Sequence, residues 1–296
     1  MTAEVAPTVK MNNGLSIPQV GWGIMTIPSE EMVERLAEAT AAGYRLIDTA
    51  QAYGNERGLG RAIAASDIPR DDLFITTKLA NAEQGYDKTM RAFDASMERL
   101  GLSELDLFLI HWPSPEFDLY VETWKAFEEL LGSGRVRSIG VSNFTEEHLT
   151  RLFESSGVVP VLNQVELHPR FPQEELRQFH AQHGILTEAW SPLEGGGRLQ
   201  TRAGLTDRPA LLEEPVLLDL SKLKDKTPAQ IVLRWHIQLG NVIIPKSSST
   251  HRMKENISLF DFDLTDDEMG EVATLNIGRL GPDPAVTNVA FEAKDS

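Results

Sequence analysis

The chain has 296 residues, 41% hydrophobic and 24% charged, which is ordinary globular usage and enough for two average domains or one large barrel. Its 28 basic against 44 acidic residues leave a formal charge of −16, a surface that repels nucleic acid and anionic lipid. The absence of cysteine excludes disulfides, thiol nucleophiles and thiolate metal sites, and no apolar run reaches the ~18 residues of a membrane span. The start, Met1-Thr2-Ala3-Glu4, has neither a basic region nor an apolar core, so a cytoplasmic protein is expected.

Residues 8–18 read as a hairpin in which Val9 and Met11 lead into Asn12-Asn13-Gly14, Leu15 and Ile17 lead out, and Asn-Gly supplies the positive φ values of a tight turn. From Val20 onward short apolar runs alternate with amphipathic segments, the mark of βα units and a parallel sheet. Eight runs occur, around Val20-Gly21-Trp22, Tyr44 to Ile47, Leu73 to Thr77, Leu105 to Ile110, Val136 to Val141, Val161 to Val165, Ile185 to Ala189 and Val242 to Ile244. Eight predicts one α/β domain over residues 1–296, a closed (β/α)8 TIM barrel with an N-terminal hairpin. Ser29 is expected to cap the first helix, with Met32, Val33, Leu36, Ala37 and Thr40 inward and Gly43 ending it. Thr145 opens another over Leu149, Leu152 and Phe153, and Thr227-Pro228 a third with the stripe Ile231, Val232, Trp235 and Leu239. Between the seventh and eighth runs, Glu194 to Asp207 reads as a long polar loop and candidate lid, and Glu213 to Lys226 as an extra helix. A second extra helix, Thr265 to Leu275, precedes an irregular tail from Gly278.

In such a barrel the active site lies at the carboxyl ends of the strands. There Asp48 follows Ile47, Lys78 follows Thr77, His111 follows Ile110, Ser142-Asn143 follows Val141, Gln164 follows Asn163 with Glu166 close behind, Ser191 follows Trp190, and Lys246-Ser247 follows Pro245. Tyr53, five residues beyond Asp48 at the start of the next helix, completes a proton donor. A Lys78 cation is expected to lower the phenol from its ordinary pKa of ~10, Asp48 to keep that cation in place, and a neutral His111 to orient a carbonyl oxygen. No side chain supplies electrons, so this chemistry needs a bound cofactor. Lys246 to Arg252, with two cations and several hydroxyls at a predicted helix N-terminus, suits a phosphate.

His168, His180, His183 and His236 have no metal-ligand spacing with carboxylates, so they read as surface or packing residues and no metal is expected. Gly58-Leu59-Gly60-Arg61-Ala62 lacks the third glycine of a dinucleotide loop and lies in a helical pattern. A Schiff-base role for Lys78 is opposed by the neighbouring Asp48 and Tyr53. Trp112 is expected on the substrate side, Trp124 and Trp235 in the core.

Asp48-Thr49-Ala50-Gln51-Ala52-Tyr53-Gly54-Asn55-Glu56, Leu109-Ile110-His111-Trp112-Pro113, Gly140-Val141-Ser142-Asn143-Phe144, Asn163-Gln164-Val165-Glu166 and Ile244-Pro245-Lys246-Ser247 together resemble the aldo-keto reductases. The match runs in order over about residues 8–285 and is most similar to the bacterial branch that includes 2,5-diketo-D-gluconate reductases. The resemblance implies a monomeric NADPH-dependent reductase of small carbonyl compounds, with Tyr53 as general acid, Lys78 and Asp48 tuning it and His111 positioning the carbonyl. It also implies Ser142, Asn143 and Gln164 on the nicotinamide carboxamide, Trp190 stacked on the ring, and Ser191 and Leu193 along the pyrophosphate. Lys246, Ser247 and Arg252 would hold the 2′-phosphate, with Glu255 and Asn256 near the adenine.

Two positions depart from that pattern. Met25 follows Gly21-Trp22-Gly23-Ile24 where the family usually has an aromatic, and Ala80 follows Lys78-Leu79 where it often has Trp. With Trp22 and Trp112 they outline an expected pocket wide enough for bulky ketones, since Met adapts to irregular ligands. The other reading of the same residues is an NADP(H)-binding regulatory module with little turnover, which the complete Tyr53, Lys78, Asp48 and His111 set opposes.

Overall fold

In the computed structural model, which describes residues 5–205, 207–288 and 292–294, β1 (Thr8–Lys10) pairs antiparallel with β2 (Ser16–Pro18), Val9 opposite Ile17. The hairpin turn is wider than the tight Asn-Gly pair expected. Met11 N–H donates to Leu15 O at 2.9 Å, and of Asn12, Asn13 and Gly14 only the glycine has a positive φ. Asn12 and Asn13 instead donate to Pro160 O and Ser138 Oγ, fastening the hairpin across the amino-terminal end of the barrel.

The βα alternation then runs β3 (Gly21–Gly23), α1 (Met32–Ala42), β4 (Leu46–Asp48), α2 (Glu56–Ala64), β5 (Phe74–Leu79), α3 (Tyr86–Leu100), β6 (Leu107–Ile110), α4 (Tyr120–Gly132) and β7 (Ile139–Ser142). It continues through α5 (Glu146–Ser155), β8 (Leu162–Glu166), α6 (Glu174–Gln182) and β9 (Leu186–Trp190). After α7 (Arg198–Arg202), α8 (Pro215–Lys224) and α9 (Pro228–Gln238) come β10 (Val242–Ile243), α10 (Thr250–Ile257) and α11 (Asp266–Ala273). Strands β3 to β10 lie side by side in chain order, all parallel. The Val20–Ile243 bridge, with Ile243 N–H donating to Gln19 O at 3.0 Å, closes the (β/α)8 barrel.

Strand side chains alternate faces with a period of two, so residues two apart share the lumen. At its lower end the lumen is filled by Leu46, Phe74, Leu107, Leu109, Leu162 and Val242, capped by Met11 and Ile17 of the hairpin. Two residues on, the same faces turn polar: Leu46 is followed by Asp48, Thr76 by Lys78, Leu162 by Gln164 and Leu186 by Glu188. Glycine occupies the inward positions where strands crowd. A Cβ on Gly140 would lie 2.7 Å from Leu162 O and 2.8 Å from the Leu109 side chain.

The helices cover the outside of the barrel with the main apolar cluster, which includes the fully buried Trp124 and Trp235. Thr145 and Thr227 cap α5 and α9 as expected, each in a reciprocal capping box, with His148 and Gln230 at the third position. Ser29 is not the cap of α1. That helix begins at Met32 with Glu31 ahead of it, which turns Val33 and Ala37 outward while Met32, Leu36, Ala39 and Thr40 are buried. The extra helices form as α8 and α11, the latter capped by Thr265. The expected lid loop has structure of its own, a 3-10 turn at Glu194–Gly197 followed by α7. Arg170, buried to 1% exposure, holds both ends of this segment, donating to Glu194 at 3.1 Å, Pro209 O at 2.7 Å and Glu214 at 2.6 Å. His168, His180 and His236 are fully buried, whereas His183 is exposed. No helix among the described residues is long and apolar enough to cross a membrane.

Candidate active site

The polar end of the lumen brings Asp48, Tyr53, Lys78 and His111 together. Lys78, fully buried on β5, donates from Nζ to Asp48 Oδ1 at 2.6 Å, Thr49 O at 2.9 Å and Tyr53 Oη at 3.3 Å. Tyr53 ends a 3-10 turn, Gln51–Tyr53, rather than opening the following helix. That turn is locked by Gln51, whose Oε1 accepts Ala80 N–H at 2.7 Å while its Nε2 donates to Ala92 O and Ser96 Oγ. The His111 ring meets the Tyr53 ring edge-on, with centroids 5.9 Å apart.

Burial works against the charge on Lys78, but Asp48 and Tyr53 at contact distance raise its pKa above the ordinary lysine value. Burial and the Lys78 charge push His111 well below the ordinary histidine value, so its imidazole is neutral. Tyr53 departs from the expectation. Burial raises its phenol, and although Lys78 opposes this, Asp48 and Glu188 add to it, leaving the pKa above the ordinary tyrosine value. Lys78 brings its cation to the phenol without making it a readily ionised group.

Opposite this cluster, Gln164 Nε2 donates to Asp48 Oδ2 at 2.9 Å and to Glu188 Oε2 at 2.8 Å. Glu188 is a lumen carboxyl that the ends of the apolar runs do not reveal, because it lies inside the seventh run rather than after it. Its signal was the period of two, which puts it on the face shared by Leu186 and Trp190.

The residues assigned to a nicotinamide lie along one side of the mouth. Asn143, in the left-handed region at φ 63°, donates to His111 O and Ser142 Oγ and accepts the Trp190 indole N–H at 2.7 Å. Ser142 Oγ donates to Gln164 O. These bonds tie β6, β7, β8 and β9 together beneath the half-buried Trp190 ring. Ser191, also strained at φ 52°, turns the chain toward Leu193.

Lys246 and Arg252 are exposed beside the start of α10, which Ser249 caps by accepting Arg252 N–H, and neither cation has an ion pair among the described residues. Two such cations, the free N–H groups of a helix start and the Ser247 to Ser249 hydroxyls form a donor set that fits a phosphate. Burial and then the charge of Arg198 hold Lys246 below its ordinary value, so Arg198, on the segment carrying α7, is a further cation of this corner that the sequence reading missed. Glu255 takes the Thr227 hydroxyl, and Asn256 is buried under α10.

The four substrate-pocket expectations divide. Met25 is 54% exposed just past β3, and Trp112 keeps 7%. Trp22 and Ala80 are closed to solvent, and the Trp22 indole donates to Ser247 O at 2.8 Å. Among the described residues the tail from Gly278 forms no helix or strand, and it is fastened beside this site. Glu166, fully buried, accepts the N–H groups of Leu280 and Gly281 at 2.9 Å, and Lys294 N–H donates to Gln51 O at 3.1 Å.

The sequence model described as the aldo/keto reductase family matches residues 14–277. An aldo-keto reductase of Mycolicibacterium smegmatis is 52% identical over 96% of this chain and 99% of its own. Morphine 6-dehydrogenase of Pseudomonas putida is 44% identical over 95% of this chain and 96% of its own, and methylglyoxal reductase DkgA of Escherichia coli 45% identical over 94% and 97%. Among solved structures, a mutant of Gox0644 in complex with NADPH superposes with a TM-score of 0.88 at 44% identity, over 96% of this chain and 99% of that one.

Proposed function

The chain belongs to the aldo/keto reductase family of oxidoreductases, and on that premise we propose that it reduces aldehydes and ketones with NADPH, Tyr53 delivering the proton. The observation that carries this reading is the contact of Lys78 Nζ with both Asp48 and Tyr53 at the polar end of the lumen. When bound, the reduced nicotinamide supplies the hydride. Lys246, Ser247, Arg252 and Arg198 would hold the phosphates, and Gln164 and Trp190 would seat the nicotinamide. The neutral His111 imidazole donates a hydrogen bond to the carbonyl oxygen and orients it beside the phenol. As charge develops on that oxygen, Tyr53 gives up its proton, and Lys78, kept charged and in place by Asp48, stabilises the phenolate left behind.

NADPH consumption with a panel of aldehydes and ketones tests the reading, and Tyr53→Phe is expected to lower kcat by about 10²–10⁴-fold. Tight NADPH binding with no carbonyl turned over would favour a regulatory module, and undiminished turnover in Tyr53→Phe would remove the proposed acid.

The same reading extends to substrate size. The exposed Met25, and the high identity to a protein named for its action on morphine, support acceptance of bulky ketones. Met25→Trp is expected to depress kcat/KM for polycyclic ketones at least about tenfold more than for small aldehydes, about 1.4 kcal/mol of lost pocket contact. Equal losses would sink the extension.

A further inference from the structure

Glu188 is fully buried in the lumen, two residues below Trp190 and directly across from Gln164 in the β8–β9 register. Its Oε2 accepts from Gln164 Nε2 at 2.8 Å, and its Oε1 has no hydrogen-bond partner among the described residues. A buried carboxyl with a single tie costs stability, so its effect is to be sought in what that tie does to Gln164.

A primary amide nitrogen carries two hydrogens and its oxygen only lone pairs. Both Gln164 hydrogens are committed, one to Asp48 and one to Glu188. Turning the amide over would set its oxygen against Asp48, whose carboxylate is the partner of Lys78. The amide therefore has one orientation, with its carbonyl as the only end left for a ligand. Burial pushes the Glu188 carboxyl up to about 8, with Asp48 adding to the rise. Protonated or ionised, the carboxyl keeps an oxygen that accepts from Gln164.

We propose that Glu188 is a specificity-determining positioning residue: by occupying the second N–H of Gln164 it makes that side chain an acceptor only, so that the cofactor is read through the NH2 group of its carboxamide. The inference rests on the proposed NADPH site and adds to it which half of the carboxamide this chain demands.

The probe is the 3-acetylpyridine analogue of NADP+, in which a methyl group replaces that NH2. Dissociation constants for NADP+ and the analogue are measured by quenching of protein fluorescence in wild type, Glu188→Leu, Glu188→Met and Glu188→Gln, without turnover. Wild type is expected to bind the analogue about tenfold more weakly than NADP+, the scale of one lost hydrogen bond. The ratio is expected to fall to about threefold or less in Glu188→Leu and Glu188→Met, where Gln164 is released. Glu188→Gln, which retains an acceptor oxygen, is expected to restore the wild-type ratio. Two apolar variants offer two chances of a folded protein, and Glu188→Gln is close to isosteric. A wild-type ratio near one, an unchanged ratio in the apolar variants, or no rescue by Gln overturns the role of Glu188 while NADP+ still binds. No binding of NADP+ to wild type would overturn the proposed function and this inference with it.

Discussion

The Tyr53 phenol is held by opposing effects, burial raising its pKa and the Lys78 ammonium 3.3 Å away lowering it, with burial prevailing. Such a phenol keeps its proton across neutral pH, which suits a donor in carbonyl reduction and opposes the reverse reaction, where a phenolate is required. The rate of reduction is therefore expected to show no loss from this group between about pH 6 and 9, and alcohol oxidation to rise through that range. Lys78→Met leaves burial unopposed and should lower kcat by at least about 10²-fold, more in oxidation than in reduction; pH profiles in both directions check it. Glu188 makes a separate prediction. Asp48, Lys78 and Tyr53 are the charged or titratable groups that act on it or feel it, from β4, β5 and the turn after β4, while Gln164 on β8 and Val242 on β10 are uncharged. Its folded pKa, about 8, lies above the ordinary glutamate value of 4.5, so between these values the folded protein binds a proton that the unfolded chain has released. The resulting stabilisation is complete below about pH 4.5 and is lost as pH rises toward 8. Glu188→Leu should consequently gain Tm relative to wild type as pH is raised over that window, and a constant difference would contradict it.

Strands β4, β5, β8 and β9 change character along their lumen faces, and this places the site better than the boundaries of the apolar runs do. Asp48 and Lys78 lie at the carboxyl ends of their strands as expected, β4 and β5 extending through them, so that each closes a lumen face. The runs were legible because a parallel strand covered by helices is apolar on both faces. Their ends were blurred because polar lumen residues interrupt that pattern from within, which is also why Glu188 was passed over. The long segment before α8 read as an open lid because it is rich in glycine and polar residues. It is instead pinned by Arg170, a residue distant in sequence, whose guanidinium reaches Glu194 and Glu214 together. Arg170→Ala should cost about 3–5 kcal/mol by stranding buried Glu194, read as a lowered Tm with local protease cleavage at residues 194–205. Replacing Arg170, Glu194 and Glu214 together with Met, Leu and Leu should recover much of that stability.

At the scale of the whole molecule, the closed barrel buries several histidines as neutral groups. Burial pushes His180 and His236 down to about 3. The unfolded chain takes up these protons below the ordinary histidine value of 6.5 while the folded chain does not, so their contribution is complete above that pH and is lost as pH falls toward 3. Thermal melts should show Tm declining from about pH 6.5 downward, with a shallower decline in His236→Gln. The barrel also limits what its lumen admits. Gly140→Ala would drive a methyl group into Leu162 O and Leu109, and a loss of about 1–3 kcal/mol is expected from denaturant unfolding. The sequence by itself determined the eight βα units, the hairpin and the two extra helices, and it pointed to Asp48, Tyr53, Lys78 and His111 as neighbours at the strand ends, where the structure brings them together. These follow from local periodicity, from turn chemistry and from motifs whose residues lie close together along the chain. Only the tertiary structure decided which way the Tyr53 pKa moves, that Gln164 is shared by Asp48 and Glu188, that Trp22 and Ala80 are sealed, and that Arg170 fastens the lid segment. Those outcomes depend on burial and on distances between strands far apart in sequence, and neither exists until the barrel has closed.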